Sequence, residues 1–512
     1  MQLQQRKSGD GSIANGPEII ILHLDLGIGG AERLVVNVAL NLLSLGYKVS
    51  IVTTHHDRFH CFDETRLDGL LADKITVVGD WLPRQIFGFG TALCSQIRMV
   101  YAALCILQRG VPPKLVFTDG VSTPLPLFFW AGIHSVFYCH YPDMLLCSAG
   151  SRKSMINKVY RLILDTIEEW TTACATSVFV NSYFTKETFR NTFPRLWDHS
   201  LEPIVLYPTL EDREELEDYI SLPDYLCNFL GTFTEPSIAN RKINMFISLN
   251  RYERKKRIEL ALQALALLKS GNNKGCRLLL VIAGGYDEKV QENVQYLHEL
   301  QATANSLGLI WYFPSTPHIL SLNTENTTEK RCGPNVDVIF RVSISSAERE
   351  ALLLNSCALL YTPENEHFGI VPLEAMRSGT PVIAVNSGGP VETILNGKTG
   401  FLCDQTPESF SNAMKRLTGV GNSRGEKYLV RSSASIEMGS AGREHVLNNF
   451  TAQIMRDKLQ KTIQEIFAQS NPIKKYQVIY GNKCLKALLS IVFLLVFLSL
   501  FILKVLCQST DI

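Results

Sequence analysis

The chain has 512 residues, 46% of them apolar and 19% charged, with a formal net charge of +1. That length exceeds one compact core and predicts two domains, while the near-neutral balance excludes nucleic-acid binding through a global field, so no nucleic-acid partner is expected. Thirteen cysteines without a C-x-x-C pair exclude a disulfide scaffold and read as reduced core residues in a cytosolic setting.

Residues 1–17 are polar and lack the apolar segment of a signal peptide, so a disordered start is expected. Residues 18–24 (EIIILHL) form a buried parallel-type strand, the loop DLGIGGAER follows, an amphipathic helix runs to Gly46, and residues 48–54 form the next strand. This strand, glycine loop, helix, strand unit begins a doubly wound α/β domain. Gly29 and Gly30 let the backbone approach a ligand, and the helix N-terminus offers free N–H groups to a phosphate or a sugar hydroxyl. A plain structural turn is the alternative, and the spacing is not the G-x-G-x-x-G of an ordinary dinucleotide site. Residues 86–107 and 125–130 are strongly apolar. Two readings stay open for them: core, or an exposed surface touching a bilayer or lipid chain, with Arg84, Arg98 and Arg109 reaching headgroups. A strand over 135–140 ends on His140, in the run HYPD, and a side chain at a strand's carboxyl end faces the ligand crevice in this architecture. A helix over 153–172, a strand over 176–181, a helix over 182–192 and a strand over 204–208 complete a first domain, 18–208.

Residues 209–240 are acidic, then loop-like, and form the expected linker to a second α/β domain, 241–470. Its first strand, 244–249, leads into NRYERKKR, where five cations fall within seven positions before a helix over 258–270. Cations at a strand end beside a helix start suit an anion, Arg as a fork and Lys as a point charge; a solvated turn is the bland alternative. The next strand, 277–283, ends in Gly284-Gly285. Residues 312–335 read as an exposed insertion, followed by a strand over 336–340 and a helix over 348–356. Then comes YTPENEHFGIVPLEAMRSGTPVIAVNSGGPVE, residues 361–392. Glu366 lies in the loop after an apolar strand, and Glu374, eight positions on, lies in the first turn of a helix expected over 372–378. The turn Phe368-Gly369-Ile370 offers N–H groups. A turn and short strand over 396–402 and helices near 407–418 and 451–469 finish the domain. Arg251, Lys255 or Lys256 and the helix start suit a diphosphate, Glu374 the vicinal hydroxyls of a ribose, and Glu366 a second polyol such as a hexose. A nucleoside diphosphate sugar fits all of these. There is no D-x-D, so the cations are expected to offset the leaving group without a metal or other cofactor.

The tail, 471–512, differs. Residues 487–503 are apolar apart from Ser490 and Ser499, and a membrane helix over about 485–507 is expected. Lys474, Lys475, Lys483 and Lys486 precede the apolar run 487–503 and Lys504 alone follows it, which places the bulk of the chain on the cytosolic side.

The runs DLGIGGAERLV, NRYERKK, EHFGIVPLEAM and NSGGP resemble those of the retaining GT-B glycosyltransferases of the glycogen-synthase-like clan. Together with YCHYPD and AGGYDE they resemble the mannosyltransferase family of lipid-linked oligosaccharide assembly. The resemblance covers roughly residues 18–470. It implies two Rossmann-like domains facing a cleft, acceptor on the first and donor on the second. It implies GDP-mannose as donor, a dolichol-pyrophosphate-linked acceptor, α-1,3 and α-1,6 transfer with retention, and an endoplasmic reticulum membrane location facing the cytosol. Other mannosyltransferases of the pathway are candidate partners. By the same resemblance Glu366 binds the donor hexose, Glu374 the ribose, Arg251 and Lys256 the diphosphate, and His140 the sugar hydroxyls. Gly29 and Gly30 admit donor or acceptor, and Gly284 belongs to the donor site. Lys255 and Lys256 remain alternatives for the phosphate-binding lysine.

Overall fold

A computed structural model describes residues 16–85, 90–146, 155–198, 201–210, 222–223, 226–227, 242–271, 276–314, 335–419 and 429–468. The chain divides into one unit of residues 1–211 with 452–512 and another of residues 212–451.

The first unit is built on β1 (Glu18–Asp25), β2 (Lys48–His55), β3 (Ile75–Val77), β4 (Leu115–Asp119), β5 (His134–Cys139), β6 (Ser177–Val180) and β7 (Ile204–Val205). They form one parallel sheet in the order β3-β2-β1-β4-β5-β6-β7. Ile19 to Leu22 of β1 are all fully buried, as a strand covered by helices on both faces requires. Helix Gly30–Ser44 buries Leu34, Val35, Val38 and Leu42 against this sheet, and Gly46 turns the chain out of it at φ +84°.

Helix Thr91–Leu107 corrects the bilayer reading of the apolar stretch. Ile97, Met99, Val100, Ala103 and Ile106 are buried, packed with Ile20, Leu22 and Val116 of the sheet. Arg98 does not reach outward: it is 2% exposed and pairs with Asp25 at 2.8 Å. Residues 125–130 are a short helix whose Leu125, Leu127, Phe128 and Phe129 are also buried. The exposed apolar side chains of this region are Trp130, at the end of that helix, and Leu145, Leu146, Leu162 and Ile163.

The second unit holds β8 (Lys242–Leu249), β9 (Cys276–Gly284), β10 (Trp311–Tyr312), β11 (Val338–Val342), β12 (Ala358–Tyr361), β13 (Val382–Val385) and β14 (Gly400–Cys403). This sheet is also parallel, in the order β10-β11-β9-β8-β12-β13-β14. Helices Gln291–Ser306 and Ser433–Asn449, and strands β3, β4 and β10, go beyond the elements expected from the sequence.

One domain boundary moves. The last described helix, Ala452–Ala468, was expected to close the second domain, but it belongs to the first unit. Met455, Leu459, Ile463 and Ile466 lie along one face and join the core of helix Gly30–Ser44. Four such burials are worth together about 6–12 kcal/mol as an upper bound, and Asn41 adds hydrogen bonds to Met455 Sδ and from Arg456.

Among the described residues no helix is long and apolar enough to cross a membrane. The expected span over 485–507 lies outside the described residues, as do the expected disordered residues 1–15 and most of the expected linker and of the insertion at 312–335.

Candidate active site

In an open parallel sheet, ligands sit at the carboxyl ends of the strands where the order reverses. In the first sheet this switch falls between β1 and β4, and in the second between β8 and β12. Each switch point carries a cluster of ionisable side chains, and each is described on its own unit.

In the first unit, β1 delivers His23 and Asp25, β4 delivers Asp119, and His140 follows β5 directly. Asp119 is 2% exposed and takes one histidine on each oxygen: His140 Nε2 at 2.8 Å on Oδ1 and His23 Nδ1 at 2.9 Å on Oδ2. Burial opposes ionisation of Asp119, but His140 and His23 outweigh it and hold the carboxyl well below the usual carboxylate range. The His23 ring reaches Asp25 O with Nε2 at 3.0 Å. Its proton affinity rises: burial works against the cation, yet Asp119, with Glu32 and the Asp25 carbonyl, prevails.

His140 is held from three sides. Its ring lies 4.8 Å from the Tyr138 ring, and its carbonyl accepts Asn181 Nδ2 at 3.0 Å. The loop beyond it is clamped by Glu168, whose carboxyl accepts the Asp143 and Met144 N–H groups at 2.6 and 3.0 Å. Burial pushes the Glu168 carboxyl up to about 7, with Asp143 and Asp165 adding to the rise and the two N–H bonds opposing it.

Gly29 and Gly30 start helix Gly30–Ser44, which has no side-chain cap, so its first N–H groups stand open to an anion. Gly29 is extended, and a Cβ there would meet only the Glu32 carboxylate, while at Gly30 it would meet nothing within 4 Å. Neither glycine is demanded by the fold. The loop they form is strapped to residues 56–65: Arg33 makes a forked pair with Glu64 at 2.8 and 3.2 Å, and the His56 ring bridges the Leu26 and Thr65 carbonyls.

In the second unit the loop after β8 carries the five cations, and its path is set by Tyr252. That side chain is fully buried and donates to the Ile282 and Arg341 carbonyls. The cations then separate. Arg254 turns to Glu299 at 2.6 Å and Arg257 to Gln405 at 3.3 Å. Arg251 and Lys255 are largely exposed, each about 3 Å from Glu253. Lys256 alone turns inward, half-buried, onto Glu366, while its carbonyl accepts Thr362 Oγ1 at 2.7 Å. Burial disfavours the Glu366 carboxylate, but Lys256, with help from His367 and Lys255, holds its carboxyl below the ordinary value. Tyr361 ties the two acids together. Burial, then a hydrogen bond to Glu366 and the charges of Glu366 and Glu374, raise its phenol well above the usual value.

The helix after Glu366 spans Ile370–Arg377, two residues earlier at its start than the sequence suggests. Glu374 therefore sits in the second turn rather than the first. Its Oε1 pairs with Arg349 at 3.1 Å. Gly369 enters this helix at φ +82° with no side-chain cap, and Phe368 is buried beside Phe450. The Glu366 loop is gripped by the glycine loop after β13. Gly389 N–H donates to Glu366 O at 2.8 Å and Asn365 N–H to Ser387 Oγ at 2.9 Å. A Cβ at Gly388, φ +65°, would lie 2.4 Å from Glu366 O, and one at Gly389 2.4 Å from Phe368 Cα. Gly284, expected in the donor site, has a packing reason of its own: a Cβ there would stand 1.9 Å from Asn250 O.

The structure thus brings Lys256, Glu366, Glu374, Tyr361 and the Phe368-Gly369-Ile370 turn together, with Arg251 and Lys255 on the rim of the same loop. His140 has its own cluster in the first unit. Sequence reasoning missed His23, Asp119, Glu168, Tyr361 and Arg349. Asp119 alone had a usable signal, the apolar run LVFTDG closing on an acid before a glycine.

Comparisons with known proteins agree with this geometry. Residues 323–424 match the family model described as Glycosyl transferases group 1, and residues 28–197 match Glycosyltransferase Family 4. The chain is 37% identical over 465 residues to the Alpha-1,3/1,6-mannosyltransferase ALG2 of Dictyostelium discoideum, covering 88% of this chain and 98% of that protein. It is 38% identical to the protein of the same name in Homo sapiens, over 88% of this chain and 96% of that one. The Saccharomyces cerevisiae protein is likewise 38% identical, over 90% and 86%. Among solved structures, a sucrose-phosphate synthase from Thermosynechococcus elongatus superposes with a TM-score of 0.59 at 17% identity, covering 89% of this chain and all of that one. Anabaena HepE in complex with UDP and glucose gives 0.55 at 17%, covering 88% and 100%. These two share the GT-B fold of paired Rossmann-like units.

Proposed function

Because this chain belongs to the family of α-1,3/1,6-mannosyltransferases, we propose that it transfers mannose, with retention, from GDP-mannose to a dolichol-pyrophosphate-linked acceptor carrying one mannose on chitobiose. The chain is a glycosyltransferase of N-glycan precursor assembly. The observation that carries the substrate reading is the Lys256–Glu366–Tyr361–Glu374 cluster at the β8/β12 switch point.

Lys256, with Arg251 and Lys255 on the loop rim, offsets the diphosphate charge as the bond to the sugar breaks. The uncapped Gly369 turn adds N–H groups to the same anion. Glu374, aligned by Arg349, accepts the ribose hydroxyls. Glu366 accepts mannose hydroxyls and stabilises positive charge developing at the anomeric carbon. Its pairing with Lys256 favours the Glu366 carboxylate against burial. His140 accepts a hydroxyl of the transferred sugar, and the bare start of helix Gly30–Ser44 serves donor or acceptor. No metal or cofactor is assigned: the cations do the work of one. The catalytic units lie on the cytosolic side of the endoplasmic reticulum membrane, held by the apolar tail over 485–507, with other mannosyltransferases of the pathway as candidate partners.

The test is incubation of the full chain with GDP-mannose and a synthetic lipid-pyrophosphate chitobiose bearing one mannose, with mass and linkage analysis of products. One α-1,3 and one α-1,6 mannose are expected. Turnover persists in excess EDTA; a complete loss restored by Mn²⁺ would overturn the arginine–lysine reading of the diphosphate site.

A further inference from the structure

We propose that His23 is a positioning residue: a buried imidazolium that balances Asp119 and so holds His140 as its Nε2–H tautomer, Nδ1 turned out to accept a hydroxyl. The inference rests on the reading of His140 as a sugar-binding group.

The argument is a count of protons. Asp119 is ionised and buried, so both its oxygens only accept. Both nitrogens facing it, His140 Nε2 at 2.8 Å and His23 Nδ1 at 2.9 Å, must therefore carry hydrogen. His23 Nε2 faces the Asp25 carbonyl at 3.0 Å, which also only accepts. An imidazole that donates from both nitrogens is the cation. The burial of His23 would otherwise disfavour that charge, and the raised proton affinity found for it agrees with the count.

His140 spends its Nε2–H on Asp119. Its Nδ1 has no hydrogen-bond partner among the described residues, and the side chain is 27% exposed. An acceptor nitrogen at this place suits a sugar hydroxyl, whereas a proton on Nδ1 would turn it into a donor.

The charges around the pair come from every neighbouring element. From β1, Asp25 carries its own counter-ion, Arg98, delivered by helix Thr91–Leu107. From the helix after the glycine loop, Glu32 acts on His23. Beyond β5, Glu168 and Asp143 act on Cys139 rather than on Asp119. The Tyr138 hydroxyl is committed to the Leu206 carbonyl. Among the described residues, His23 and His140 are the side chains that bond to the Asp119 carboxylate. Remove the charge of His23, and the whole field of Asp119 falls on His140, favouring the second proton.

The experiment has two arms. His23→Gln keeps an N–H donor for Asp119 but no charge. In the pH profile of kcat/KM, which reports groups of the free enzyme, the acid limb should move to higher pH by about one unit. The loss should then grow as pH falls and vanish on the alkaline side of the limb. A uniform fall at every pH, or no shift of the limb, would overturn the proposal. The second arm needs no substrate. In the ¹⁵N spectrum of the histidine-labelled full chain, the His23 resonance should report two protonated ring nitrogens at pH 7.5. The resonance is identified by its loss in His23→Gln and its shift in Asp119→Asn. A neutral His23 ring overturns this inference and leaves mannosyl transfer standing. A charged His23 in an enzyme that does not use GDP-mannose would instead fault the proposed function.

Discussion

At the scale of single residues, Glu366 and Glu374 keep different company, which is why different roles are proposed for them. Glu366 is bonded to Lys256 and to the Tyr361 hydroxyl, whereas Glu374 is aligned by Arg349. Glu366→Ala and Glu374→Ala should each lower mannosyl transfer at least tenfold, about 1.4 kcal/mol of transition-state stabilisation. Steady-state assays at varied donor concentration check this, and near-normal turnover in both variants would refute the assignment. Both acids stand out in the sequence through their spacing and their strand-end context. Their partners do not: Lys256 lies 110 positions before Glu366, and nothing local marks Arg349. The choice between Lys255 and Lys256 was open in the sequence for the same reason. The turn of the loop around the buried Tyr252 aims Lys256 at Glu366 and leaves Lys255 in solvent.

At the scale of elements, the glycine loop after β13 acts as a clamp on the loop that carries Glu366. Gly388 combines φ +65° with a Cβ position 2.4 Å from Glu366 O, so Gly388→Ala must both strain its own backbone, by about 1–2 kcal/mol, and push the Glu366 backbone aside. A displacement of that order is expected to cost roughly 10²-fold in kcat/KM. The control is Gly110→Ala, exposed and with nothing within 4 Å of the added Cβ, which should stay within about 0.5 kcal/mol in stability. Equal activity in the two variants would contradict the clamp. Helix Thr91–Leu107 shows where patterning misleads. Its composition fits a lipid-facing surface as well as a core helix, and the sequence leaves both readings open. Only the position of Asp25 at the end of β1, 2.8 Å away, shows that this arginine has a counter-ion within the fold.

At the scale of the whole molecule, the proposed topology predicts that proteases added to intact microsomes degrade residues 1–470 without detergent. Immunoblotting with an antibody to the first unit reads this out, and full protection would reverse the orientation. The sequence by itself determined two parallel α/β units, the loops proposed to bear the ligands, and the glutamate pair. These follow from short-range patterns: buried aliphatic runs, glycines at strand ends, and acids at set spacing. Tertiary structure alone decided which groups meet. Sheet order brings β4 beside β1, and with it Asp119 to His23, 96 positions away. It also decided that helix Ala452–Ala468, after the whole second unit, buries Met455, Leu459, Ile463 and Ile466 in the first. An amphipathic stripe records that a helix has an apolar face, but not which core receives it, since the gain from burial is the same wherever water is excluded.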